Sequence, residues 1–293
     1  MLMKRSLGER LFDSSNTLMM IGLSFITLYP LIYVLFSSLS DPQYVVQNRG
    51  LILYPHGLTW DAYVMVFNNP NIIIAFGNTL FYVVVGTLVN IILTSLGAYG
   101  LSRKNLMLKN VIMFMIVFTM FFEGGLIPLY LMVQKVGLLD SRLALIIPTA
   151  MSAFNLIIMR TAFQAVPESL EESARIDGAN DWSILIRVIL PLSMPVIAVM
   201  ILFYGVSHWN SWFSATIFLQ DRALFPLQLI LREILISNDT SSMAVGVGSG
   251  DQMSVGETIK YATIIIATVP ILFLYPFLQR YFVKGVMIGA IKE

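Results

Sequence analysis

Cysteine is absent from this 293-residue chain, histidine occurs twice, and only 12% of the residues are charged. Without cysteine there is no disulfide, no thiolate nucleophile and no thiolate-ligated metal site. His56 and His208 are too far apart in sequence to form a helix-borne metal pair. No Gly-Lys dipeptide occurs, which removes the P-loop route to ATP. The shortage of charge is the most telling deficit. A soluble domain carries roughly 25% charged residues, and half that fraction leaves too little polar surface for water. The chain is 57% hydrophobic, with a mean hydropathy of +0.79. Composition therefore predicts an integral membrane protein. A net charge of +1 offers no attraction for nucleic acid.

What is present is a series of apolar runs. Residues 1–16 carry Lys4, Arg5 and Arg10, and the run that follows is too long for a signal-peptide core, so it reads as a retained first span. Six spans are expected, over residues 17–39, 72–101, 111–122, 143–159, 192–212 and 258–277. They make an all-α polytopic membrane protein with a transmembrane domain over 17–277 and a tail over 278–293. Pro30 is expected to kink the first span. The third is short unless residues 126–133 continue it beyond Gly124-Gly125. Residues 160–191 form a polar loop between spans four and five, and residues 213–257 a long polar loop on the opposite side. The spans hold no Asp, Glu, Lys or Arg away from their ends, which disfavours a self-contained proton- or ion-coupled carrier.

Charge bias fixes the expected orientation. Of the eighteen Lys and Arg residues, twelve fall on one side: Lys4, Arg5, Arg10, Arg103, Lys104, Lys109, Arg160, Arg175, Arg187, Arg280, Lys284 and Lys292. The other six are Arg49, Lys135, Arg142, Arg222, Arg232 and Lys260. The positive-inside rule puts both termini and the 160–191 loop in the cytoplasm. Within the second span, Asn78, Tyr82, Gly86, Asn90 and Thr94 recur every four residues. Such a stripe faces other helices, where small residues allow close approach, or lines a substrate path. His208-Trp209-Asn210-Ser211-Trp212 ends the fifth span with aromatics that suit a membrane-interface belt.

The 160–191 loop has internal order. Pro167 suits the first position of a helix, and Glu168, Glu171 and Glu172 crowd its first turn, where negative charge meets the helix dipole favourably. Asp177-Gly178 reads as a break. Asn180 or Asp181 can cap a second helix, whose apolar face would be Trp182, Leu185, Ile186 and Ile189, with Pro191 as its stop. Glu172-Ser173-Ala174, then Gly178 after three intervening residues, Val188 after nine more and Leu190-Pro191 after one more closely resemble the EAA signature of ABC importer membrane subunits. Ser173 stands where that signature has Ala, and Val188 where Ile is common. An amphipathic surface helix pair with no partner is the plainer alternative.

The resemblance covers the chain from about residue 10 onward and is to carbohydrate importer permeases of the maltose-transporter type. Residues 123–128, 209–212 and 226–233 are similar to the branch that imports complex saccharides, alginate importers among them, and the tail 279–292 resembles the family's closing motif. This implies a subunit that is not itself an enzyme and holds no cofactor, with ATP and Mg bound by two partner ATPase chains. The further partners implied are a second permease, an extracytoplasmic substrate-binding protein and an oligo- or polysaccharide, an alginate-like uronic saccharide foremost. The setting implied is the bacterial cytoplasmic membrane. Glu171, Glu172, Ser173, Ala174, Asp177, Gly178, Leu190 and Pro191 would couple the ATPases to the spans. Tyr204, Trp209, Asn210 and Trp212 are expected along the substrate path, or in the interface belt. Residues 237–257 would either probe the binding protein or form a solvated loop. A self-contained channel, secondary carrier or membrane enzyme is the competing class.

Overall fold

A computed structural model describes residues 7–48, 50–237 and 252–290. Among these residues there are helices and no strands. The chain forms two compact units, one of residues 1–70 with 233–268 and one of 71–232 with 269–293. The expected all-α class follows directly from the apolar runs, because in lipid only a helix satisfies its own backbone.

In the first unit, α1 (Leu7–Ser38) runs unbroken through Pro30. Tyr33 meets Tyr261 edge-on at 5.9 Å. The following connection is folded rather than slack. Asp41 caps α2 (Pro42–Gln47) by accepting from the N–H of Gln43 at 2.9 Å and of Tyr44 at 3.2 Å. The His56 ring lies between Tyr44 and Tyr54, and Tyr63 of α3 (Asp61–Asn68) shares a 2.7 Å hydrogen bond with Ser38.

The second unit is built around a long apolar element, α4 (Pro70–Phe81), a π turn (Tyr82–Gly86) and α5 (Thr87–Ser102). Next come α6 (Lys109–Phe121) and α7 (Leu126–Lys135), which meet at 113°. The third span is therefore not continued straight. Gly125 at φ +84° takes the left-handed turn that breaks it. The expected single helix over 143–159 is instead α8 (Leu143–Ile146) and α9 (Ala153–Gln164). Pro148 supplies no N–H between them, and Ser152 caps the second piece.

The polar segment then folds as α10 (Glu168–Ile176), α11 (Asp181–Ile184), a second π turn (Leu185–Ile189) and α12 (Leu190–Leu192). It turns by 85° into α13 (Met194–Trp209). After α14 (Trp212–Phe218) and a 3₁₀ turn (Arg222–Leu224), α15 (Leu227–Ser237) and α16 (Gln252–Ala290) close the chain. The expected loop over 213–257 is thus largely helix up to residue 237, with Leu227, Leu229 and Ile230 buried. Among the described residues, three helices are long and apolar enough to cross a membrane, or five if each bent pair is one span. The sixth expected span is the α8–α9 pair.

Among the described residues, two apolar clusters pack the second unit. One joins Ala98 and Leu101 to Leu156, Met159 and Phe163, and to Ile184, Leu185, Ile189, Ile197 and Met200. The other joins Tyr82 and Val133 to Ala144–Ile146, Ala215, Phe218 and Leu229.

Candidate functional site

The helix–Gly–helix segment has the local shape its residues dictate. Pro167 is the N-cap, at ψ 130°, rather than the first helical residue, and α10 starts at Glu168. The residue before the helix keeps an extended ψ, and proline's fixed φ fits it as well as the next position. Gly178 sits at φ +82° with open space where a side chain would stand, so the turn itself, not crowding, demands glycine. Asn180, not Asp181, caps α11 through Ser183 N–H at 2.9 Å. The expected apolar face is corrected. Ile184, Leu185 and Ile189 are buried, while Trp182 and Ile186 are 63% and 57% exposed. The π turn over 185–189 adds a residue to the local repeat and shifts which positions face the core. Pro191 does not stop the helix either. It lies within α12, and the turn into α13 comes two residues later.

Because α10 starts at Glu168, its first turn holds Glu168 and Glu171 and not the expected Glu172, and both are engaged. Glu171 pairs with Arg103 and Glu168 with Lys104, both from the connection that follows α5. The hydrogen bond to Glu168, and then its charge, raise the Lys104 ammonium above its ordinary pKa. Arg103 also lies 4.5 Å above the Tyr99 ring. Across the Gly178 turn, Arg175 donates to Asp181 at 2.5 Å, and the Tyr99 hydroxyl donates to the same carboxylate oxygen at 3.3 Å. A cleft of about 1010 Å³ is lined by Tyr99, Arg103, Lys104, Glu168, Glu172 and Asp181, among others. Glu172, Ser173 and Asp177 are exposed, Ala174 and Leu190 partly buried, and Ile176 is 86% exposed. An exposed carboxylate beside exposed isoleucine and tryptophan gives this surface the makings of a docking face. Sequence reasoning missed Arg103, Lys104 and Tyr99, because nothing in residues 160–191 announces which distant loop will meet them.

The four expected path residues do not form one wall. Tyr204 is buried. Its hydroxyl shares a 2.8 Å bond with Thr94 and accepts the Ser152 N–H at 3.1 Å. Trp209 is buried edge-on to Phe76 at 6.2 Å. Trp212 lies under the Arg232 guanidinium at 4.8 Å. Asn210 alone of the four borders a small cavity of about 180 Å³ lined also by Thr149, Ser207, His208, Ser211 and Ser214. Residues 238–251, and with them the Gly246–Gly250 patch, lie outside the described residues.

The stripe on the second span is a helix-packing seam. Asn78, Tyr82, Asn90 and Thr94 are all buried. Asn78 donates to Ala223 O at 2.6 Å and accepts from Arg142 at 3.1 Å, and Tyr82 OH donates to Leu224 O at 2.8 Å. The Asn90 amide nitrogen donates to Thr149 O at 2.6 Å. Its oxygen is therefore the acceptor facing His208 Nε2 at 2.7 Å, which fixes the proton on Nε2. His208 is a buried seam residue, not a belt residue. Gly86 belongs to the seam by necessity, since a Cβ there would lie 2.5 Å from His208 Nε2.

Comparison with known proteins agrees with this architecture. Residues 91–288 match the family described as binding-protein-dependent transport system inner membrane component. The chain is 43% identical to the polygalacturonan/rhamnogalacturonan transport system permease protein YtcP of Bacillus subtilis (strain 168), over 97% of this chain and 99% of that one. It is 40% identical to protein LplC of the same organism, over 99% and 98%. A chain in the crystal structure of a bacterial ABC transporter involved in import of the acidic polysaccharide alginate superposes with a TM-score of 0.87. That chain is 33% identical, with 95% of this chain and 99% of that one covered. With matches this long and an architecture to fit them, the chain belongs to the family of inner membrane components of binding-protein-dependent transport systems, as the permease subunit of a sugar ABC importer.

Proposed function

We propose that this permease pairs with a second one to pass an acidic oligo- or polysaccharide inward, driven by two separate ATPase chains and supplied by an extracytoplasmic binding protein. The observation that carries the ATPase coupling is the segment over 167–191. Its two short helices are set by a left-handed Gly178 and present Glu172, Ile176, Trp182 and Ile186 outward, whereas the polar stripe of the second span turns inward. Glu171, Glu172, Ser173, Ala174, Asp177, Gly178, Leu190 and Pro191 make up or shape that face. ATP and Mg sit on the partner chains. Both termini and the segment lie in the cytoplasm, as the charge bias requires.

The acidic substrate rests on relatives. One carries polygalacturonan and rhamnogalacturonan, and the solved structure belongs to an importer of alginate. The assembled complex in vesicles, offered neutral and uronic oligosaccharides, tests this reading. ATP- and binding-protein-dependent uptake of the uronic set is expected. Uptake of neutral sugars alone would overturn the substrate class, and uptake independent of ATP would overturn the importer mechanism.

A further inference from the structure

We propose that Arg103 is a positioning residue that fastens the coupling helix α10 to α5, a span that does not adjoin the 167–191 segment in the chain. The stroke then reaches α5 directly, together with α9 and α13, which flank the segment in sequence. This rests on the reading of the chain as driven by partner ATPases.

Three contacts tie the end of α5 to both arms of the segment, and a fourth joins the arms to each other. Arg103 pairs with Glu171 and Lys104 with Glu168 on α10, and Tyr99 donates to Asp181 of α11, which Arg175 of α10 also holds. They differ in weight. The Lys104 and Glu168 side chains are 76% and 53% exposed, so water and salt screen that pair. The Arg103 and Glu171 side chains are 22% and 12% exposed, which leaves their attraction far less screened. The guanidinium is also locked. It stacks on Tyr99 and donates to Ser102 Oγ at 2.8 Å and 3.1 Å and to Tyr99 O at 3.4 Å.

The backbone beneath Arg103 has little slack. Lys109 Nζ donates to Arg103 O at 2.9 Å and to Ser102 O at 3.4 Å, and Arg160 Nε donates to Leu101 O at 3.1 Å. These are the orphan carbonyls at a helix C-terminus, and each is held by a side chain from α6 or α9. A displacement of α10 therefore cannot be absorbed in a loose loop before it reaches α5. Higher in the same helix, Thr94 and Asn90 hold Tyr204 and His208 of α13. One helix thus joins the charged latch to the polar seam.

The test is the coupling ratio, sugar taken up per ATP hydrolysed, in the assembled transporter. Arg103→Glu and Glu171→Arg should each lower it about tenfold, the size of one lost charged hydrogen bond. Both together should restore it to within about threefold, because the swap remakes the pair. Arg103→Lys keeps the charge but not the fork, and should fall between. Where Arg103→Glu does not assemble, Arg103→Gln removes the pair without opposing two acids. A parental ratio in Arg103→Gln, or no recovery in the double variant, overturns the proposal. Failure of the importer reading shows separately, as a parental complex without ATP-dependent uptake.

Discussion

The seam along the second span and the segment over 167–191 are both polar, yet they are polar in opposite ways. In the seam the hydrogen-bonding members of the four-residue stripe are buried and have partners in this chain: Asn78 with Arg142, Tyr82 with Leu224 O, Asn90 with His208, Thr94 with Tyr204. In the segment, Glu172 and Asp177 stand in the open, and beside them are apolar residues no soluble surface would choose, Ile176 and Trp182. In a membrane a polar group without a partner is costly, so the seam is closed on itself. The segment leaves its acids and large apolar side chains exposed, as the proposed docking of another chain needs. The difference separates residues that build the bundle from residues left exposed, the ones proposed above to meet a partner chain.

That separation can be broken by mutation. The largest effect is expected at Glu172 and Gly178. Glu172→Lys reverses a charge at a docking face, and an unpaired partner there costs about 2–5 kcal/mol. Gly178→Val puts a β-branched residue in left-handed backbone, at about 1–3 kcal/mol of strain. Both should abolish uptake, Glu172→Lys with the purified permease at its parental melting temperature in detergent and Gly178→Val with a melting loss no larger than its strain. A large melting shift with uptake intact would reverse the assignment.

Gly86→Ala should do the opposite. The added methyl meets the His208 ring, and overpacking of that kind costs about 1–3 kcal/mol. Melting of the permease should fall, with uptake per assembled complex lowered far less than by Glu172→Lys. An unchanged melting temperature would mean that the seam is looser than its distances state. The smallest effect is expected at Lys104. Its pair with Glu168 is exposed, so Lys104→Gln should leave both uptake and melting at parental values in physiological salt. A clear loss in either measurement would show that the outer pair of the latch matters as much as the inner one.

Much of this is legible in the sequence where chemistry is local. The Gly178 break, the cap at Asn180 and the acidic first turn depend on neighbours a few residues away, and each stands where its residues put it. The four-residue stripe tells which face of the second span packs, without telling what it packs on. His208 reads as a belt residue from its aromatic neighbours, and only the fold brings Asn90 within 2.7 Å of it. Ile186 points inward on a regular helix, and no residue in 185–189 signals the π turn in which it lies exposed, whereas Trp182 is exposed on α11 ahead of that turn. Tyr204 and Trp209 have the side chains of a sugar site, but the helix buries both. Arg103 carries no mark of its role, since its partner lies 68 residues away.

The π turn at Tyr82–Gly86 makes the stripe possible and also makes it fragile. A four-residue repeat on a 3.6-residue helix overshoots by about 40° at each step, and would carry Thr94 well away from the face of Asn78. One wider turn takes up the surplus and returns the later members to the seam. Spacing and turn are therefore a matched pair. Closing Tyr82–Gly86 to a regular α turn at unchanged length would rotate the rest of the helix by roughly 100° and swing Asn90, Thr94 and Arg103 off their partners together.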